Sequence, residues 1–251
     1  MSSTAEDLEI LDRERRFGKI AGVAALLSIA ATIATVAVAS GASDGSALPQ
    51  GPPGIGDEVI DRAKVMVNFT QNKAELGLST GLRCLGLLLM IVVGVYLYRL
   101  TKTRDPNAVK PVVLWLTFIA PSLVVASTLL GFFAFGDAAD TLTASGPRTI
   151  ERAKQLIDDS GGLAIAKIGD SVTRIVAAFW LALLATSAMR VGLLTRFLGY
   201  WGVAGGACLV LLPIGDAMLA GWIGSVGILA LGFWPGGRPL AWDTTEPQEI
   251  E

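Results

Sequence analysis

Six long apolar runs, separated by short stretches that hold nearly all the charge, dominate this chain: residues 20–39, 76–98, 111–135, 168–189, 197–212 and 217–234. A helix rises 1.5 Å per residue, so about 20 apolar residues cover the ~30 Å hydrocarbon core of a bilayer. A helix also satisfies its own backbone hydrogen bonds where water is absent. The pattern therefore predicts an all-α membrane protein, a six-helix transmembrane bundle. Composition agrees: 52% of residues are hydrophobic and 17% charged, against roughly 25% charged in soluble domains. The first run is read as a retained span, because further apolar runs follow it.

Several function classes lose support at once. The chain has no histidine, the commonest general base and metal or haem ligand. The net charge of −2 and the absence of a basic stripe give no nucleic-acid partner. No phosphate-binding or dinucleotide glycine pattern occurs, so no cofactor is expected. Ser171 neighbours Asp170 but has no base to activate it, and no enzyme is read here. Asp137, Asp140, Asp158 and Asp159 match no calcium-loop spacing and read as solvated acids. Cys84 and Cys208 fall within apolar runs and read as small hydrophobes.

Basic residues set an expected orientation. Arg13, Arg15, Arg16 and Lys19 precede the first run, and Arg99, Lys102, Arg104 and Lys110 follow the second. The two long connections, 40–73 and 136–167, carry diluted basic residues and more acids. Both termini are thus expected in the cytoplasm and both long connections outside, in a multi-pass protein of the cell membrane. Each connection should contain an outer helix, one from about residue 57 and one from about residue 147. Pro121 should kink or break the third span. Aromatic residues near the run ends, including Tyr96, Tyr98, Trp115, Tyr200, Phe133 and Trp222, read as interfacial belts, and Trp180 as mid-span packing.

The chain also repeats itself. Ile60-Asp61-Arg62-Ala63-Lys64 recurs as Ile150-Glu151-Arg152-Ala153-Lys154, and downstream Arg83 corresponds to Arg174 and Arg99 to Arg190. Two spans per copy give copies of like orientation. The expected organisation is a cytoplasmic segment 1–19, a first hairpin with outer helix 20–110, a repeat hairpin 111–196, a compact third hairpin 197–234 and a disordered cytoplasmic tail 235–251.

Candidate sites follow from charges near membrane depth. Arg83 and Arg174 each lie sixteen residues from the arginine at the inner end of the span, ~24 Å along a helix. Either they snorkel to the outer headgroups or they face inward to bind an anion, a lipid phosphate or an acidic partner. Asp170 lies four residues before Arg174 and can neutralise it. Ser79 holds the matching place before Arg83, which reads as the freer cation, with Asp61 and Glu75 as possible partners. Asp61 and Glu151 are the matching acids of the two outer helices. Gly202 with Gly206, and Gly221 with Ser225, form small-residue pairs that let the last two helices approach closely.

The stretch Gly192-Leu193-Leu194-Thr195-Arg196-Phe197-Leu198-Gly199-Tyr200-Trp201-Gly202-Val203 resembles the late segment of uncharacterised bacterial multi-pass inner-membrane proteins, whose families are named only as domains of unknown function. The resemblance implies a bacterial inner-membrane location and carries over no catalytic or binding residue. The expected role is that of a non-enzymatic subunit binding lipid or another membrane protein. The alternative is a small transporter or channel for a small solute, with an anion among the candidates.

Overall fold

The computed structural model describes residues 5–42, 62–144, 147–212 and 214–248. Among these residues eight α-helices follow one another: α1 Ala5–Ala42, α2 Arg62–Gln71, α3 Lys73–Arg104, α4 Pro111–Ala144, α5 Ile150–Asp158, α6 Gly161–Arg190, α7 Arg196–Leu211 and α8 Gly215–Leu231. Among the described residues there are no strands. Four helices, α1, α3, α4 and α6, are long and apolar enough to cross a membrane. The chain is therefore a membrane protein. At 16 and 17 residues, α7 and α8 are apolar but shorter, about 24–26 Å each.

The outer helices expected in the long connections are present as α2 and α5, although Asp61 and residue 60 lie outside the described residues. Thr149 caps α5 by accepting from the Arg152 amide at 3.3 Å. Several boundaries differ from expectation. α1 runs unbroken from the polar start into the apolar run. α4 passes through Pro121 and Gly131 without interruption and continues to Ala144. Its last turns persist because Ala138, Ala139 and Leu142 are buried against other helices, where leaving the helix would strand apolar surface. α6 begins at Gly161, earlier than the apolar run, because the Ser160 hydroxyl accepts from the Leu163 amide.

The chain divides into two compact units. Unit 1 comprises Met1–Ala30, Gly86–Ser122 and Arg174–Glu251. Its centre is filled by Trp180, Leu181, Leu184, Trp222, Ile223 and Val226, each 1% exposed or less. Both indoles are hydrogen-bonded, Trp180 Nε1 to Thr117 Oγ1 at 3.0 Å and Trp222 Nε1 to the Leu198 carbonyl at 2.8 Å. Trp222 and Tyr96, read as belt residues, are in fact core. Trp115 and Tyr200 do face outward. Helices approach closely where glycine allows it: a Cβ on Gly227 of α8 would lie 2.5 Å from Ala25 Cβ of α1.

The expected disorder of the tail is corrected over residues 238–248. Leu240–Trp242 forms a 3-10 turn with Trp242 buried, its Nε1 donating to the Leu193 carbonyl at 2.8 Å. One buried tryptophan and a satisfied indole offset the ordering cost that a polar, Pro- and Gly-rich stretch alone would not.

Unit 2 comprises Ala31–Leu85 and Leu123–Thr173. Here α2 and α5 pack on each other and on the end of α4, around Ala63, Met66, Phe69, Leu142 and Ala153. Phe69 meets Phe132 and Phe135 at 5.3 and 5.1 Å, in tilted and edge-to-face geometry. Lys73 pairs with Asp140 at 2.6 Å on the surface of this unit.

Candidate functional site

Arg174 is the sequence-selected cation with the clearest surroundings. It sits on α6 with its side chain 16% exposed. Nη1 donates to the Leu209 carbonyl at 3.3 Å and lies 3.9 Å from the Asp216 carboxylate. The reason is local. Leu209 is in the last turn of α7, whose carbonyls lack intrahelical donors. The residue four positions on is Pro213, which has no amide hydrogen to offer. Arg174 supplies the missing donor from the neighbouring helix. Asp216, in the first turn of α8, suits the positive end of that helix and balances the guanidinium. The site is a clamp on the α7–α8 turn. Asp216 escaped the sequence reading because it lies at the start of α8, forty-two residues from its partner.

The other selected residues are placed less tightly. Arg83 is half-buried on α3 and engaged, so it is not a free cation. Asp170 is half-buried, and its backbone carbonyl accepts from Thr173 Oγ1 at 2.9 Å. Glu151 is exposed in the first turn of α5. Asp61 lies outside the described residues. Arg83 and Asp170 belong to unit 2 and Arg174 to unit 1. The small residues do bring helices together. A Cβ on Gly202 would meet Ala185 Cβ at 2.5 Å, one on Gly206 the Ala178 carbonyl oxygen at 2.9 Å, and one on Gly221 the Trp201 ring at 2.9 Å. Gly202 and Gly206 thus serve the α6–α7 contact, and Gly202 also faces the Trp222 ring of α8. Ser225 Oγ donates back to the Gly221 carbonyl at 2.9 Å. Cys84 and Cys208 are free thiols.

One charged node was missed altogether. Arg104, at the end of α3, has a side chain with no exposure. Its Nη1 donates to both carboxylate oxygens of Glu14 on α1, at 2.7 and 2.6 Å, and its Nε donates to the Ala241 carbonyl at 2.9 Å. Nη2 is buried with no partner among the described residues. In the sequence Arg104 is one of four basic residues in a short stretch, and nothing there separates the buried one from the solvated three.

Two grooves open on the surface of the described residues. On α7 and α8, Phe197, Tyr200, Trp201, Ala204 and Met218 line an apolar groove of about 440 Å³. On α2, Ala63, Lys64, Val67, Asn68 and Gln71 line one of about 350 Å³, together with Arg148. Among the described residues no three His, Cys, Asp or Glu side chains converge as metal ligands would.

A family model described as a domain of unknown function, DUF4386, matches residues 20–234, and the chain belongs to that family. This agrees with the class of family that residues 192–203 resemble. Comparison with curated proteins and with solved structures finds no match.

Proposed function

We propose that this member of DUF4386 is a non-enzymatic membrane subunit that works by holding lipid or another membrane protein. The observation that carries the reading is the filled interior of unit 1. Trp180 and Trp222 sit with Leu181, Leu184 and Ile223 where a conducting path would need polar, hydrated walls, and both indoles bond to the protein itself. Outward faces are correspondingly apolar: Trp115, Phe179, Phe197 and Leu211 are all more than 60% exposed. Such faces belong against acyl chains or a partner's helices.

In this reading α7 and α8 join the four long helices as a fifth and sixth span. The arginine clamp at the turn and the short helices draw the bilayer thin around it. Both termini lie on the cytoplasmic side of the cell membrane, supported by the basic residues at the start of α1 and the end of α3. The division into a first hairpin 20–110, a repeat hairpin 111–196 and a compact hairpin 197–234 is supported by the equivalent alanines Ala63 and Ala153, which are buried in one cluster.

The test is purification in mild detergent, native mass spectrometry of retained lipids and protein, and reconstitution into vesicles loaded with an anion-sensitive dye. Bound lipid or a stoichiometric partner, with anion flux equal to empty vesicles, is expected. Flux above empty vesicles that falls in Arg174→Ala replaces the reading with transport.

A further inference from the structure

Residues 5–19 and 235–248 flank the family match on its two sides, and in unit 1 they meet each other. Thr245 Oγ1 donates to Asp7 Oδ1 at 3.0 Å, and Arg15 pairs with Asp243 at 3.0 Å. Beside this half-buried hydrogen bond and this exposed ion pair runs the buried Glu14–Arg104 pair, whose Arg104 also holds the Ala241 carbonyl. Ala241 is fully buried. Trp242 packs against Tyr96 with ring centroids 5.9 Å apart and donates to Leu193 in the α6–α7 link. Arg238 lies over the Trp242 ring at 5.6 Å, donates to the Leu229 carbonyl at 3.1 Å and also to Ala230. The Gln248 amide reaches the Val191 carbonyl at 3.3 Å.

We infer that the start of α1 and the strap 238–248 form a two-part latch, in which Trp242 plugs a pit between α3, the α6–α7 link and α8, and the Glu14–Arg104 pair is the catch. The inference does not depend on the proposed function. The contacts differ in kind, and that difference sets the order of importance. Arg15 and Asp243 are both more than half exposed, so water and salt weaken their attraction. Arg104 is wholly buried and Glu14 nearly so. Removing Glu14 leaves a buried guanidinium uncompensated, which is far costlier than losing a surface pair. The guanidinium must then turn towards water, and it releases the Ala241 carbonyl as it leaves. The strap loses its tether, Trp242 lifts, and the Leu193 carbonyl and Tyr96 are uncovered. Two residues one position apart on α1 therefore have opposite weight: Glu14 governs the latch and Arg15 does not.

The test is limited chymotrypsin digestion of the full chain in detergent, following release of the peptide 243–251 after Trp242 by mass spectrometry, alongside thermal unfolding. Cleavage that follows the open population should rise at least about thirtyfold in Glu14→Gln and less than about threefold in Arg15→Ala. Wild-type protection in Glu14→Gln, or equal release in Arg15→Ala, overturns the latch. If Glu14→Gln also lowers the unfolding midpoint, the double variant Glu14→Leu with Arg104→Leu decides. It removes the stranded charge and should recover the midpoint while release stays fast, because Ala241 still lacks its donor. Slow release at a recovered midpoint overturns the inference.

Discussion

Replacing Arg174 by alanine should loosen the α7–α8 turn by an amount the geometry bounds. The guanidinium serves the carbonyl of Leu209, a residue only 4% exposed, and no amide at position 213 can replace it. Leaving a buried carbonyl without a donor costs about 1–3 kcal/mol. Asp216 loses its partner as well, but at 3.9 Å and with half its side chain exposed that adds at most about 1 kcal/mol. The sum, roughly 1–4 kcal/mol, corresponds to a fall of about 2–16 °C in midpoint for a chain of this size. Lysine keeps the charge but not the fork of donors, so Arg174→Lys should lose about half as much. Thermal unfolding in detergent reads the first effect, and amide exchange at Leu211, Leu212 and residues 215–218 reads where it acts. A midpoint within about 1 °C of wild type, with unchanged exchange at the turn, would refute the clamp.

Three further outcomes follow from the packing and the charge pattern. Gly206→Ala places a methyl 2.9 Å from the Ala178 carbonyl oxygen and should cost about 1–3 kcal/mol by forcing α6 and α7 apart, measured as a lowered midpoint. Thr117→Val strands the buried Trp180 N–H and should cost about 1–3 kcal/mol, while Trp180→Phe in the Thr117→Val background should recover part of that loss because no donor is left unpaired. Cysteines placed at Asn107 and Asp243 should label from the cytoplasmic side, and cysteines at Ser43 and Ser145 from the other; the reverse pattern in intact cells sinks the orientation.

What the sequence disclosed was whatever depends on neighbours along the chain. Apolar runs located the four long helices, because period and length report burial in a medium without water. The repeated stretches around Arg62 and Ile150 marked α2 and α5, since each is set by residues close together along the chain. Boundaries were less legible where a distant surface decides them. α4 outlasts its apolar run because Leu142 and Ala139 find a core made by α2 and α5. The tail is ordered because Trp242 finds Leu193, forty-nine residues earlier. Pro121 breaks nothing, and α4 runs through it unbroken.

The arginines carry the same distinction further. As letters, Arg104, Arg174 and Arg238 are topology markers or anion ligands. In unit 1 all three donate to main-chain carbonyls: Arg174 to Leu209 at the end of α7, Arg238 to Leu229 and Ala230 at the end of α8, and Arg104 to Ala241 in the 3-10 turn. The demand for such donors can be read from the sequence. A helix end leaves carbonyls unserved, and a proline four residues on guarantees it for Leu209. The supply cannot, because which arginine reaches each carbonyl depends on how helices pack. That is why Pro213 mattered more than the charge pattern around Arg174, and why an arginine at membrane depth can be accounted for by the backbone it caps before any ligand is invoked.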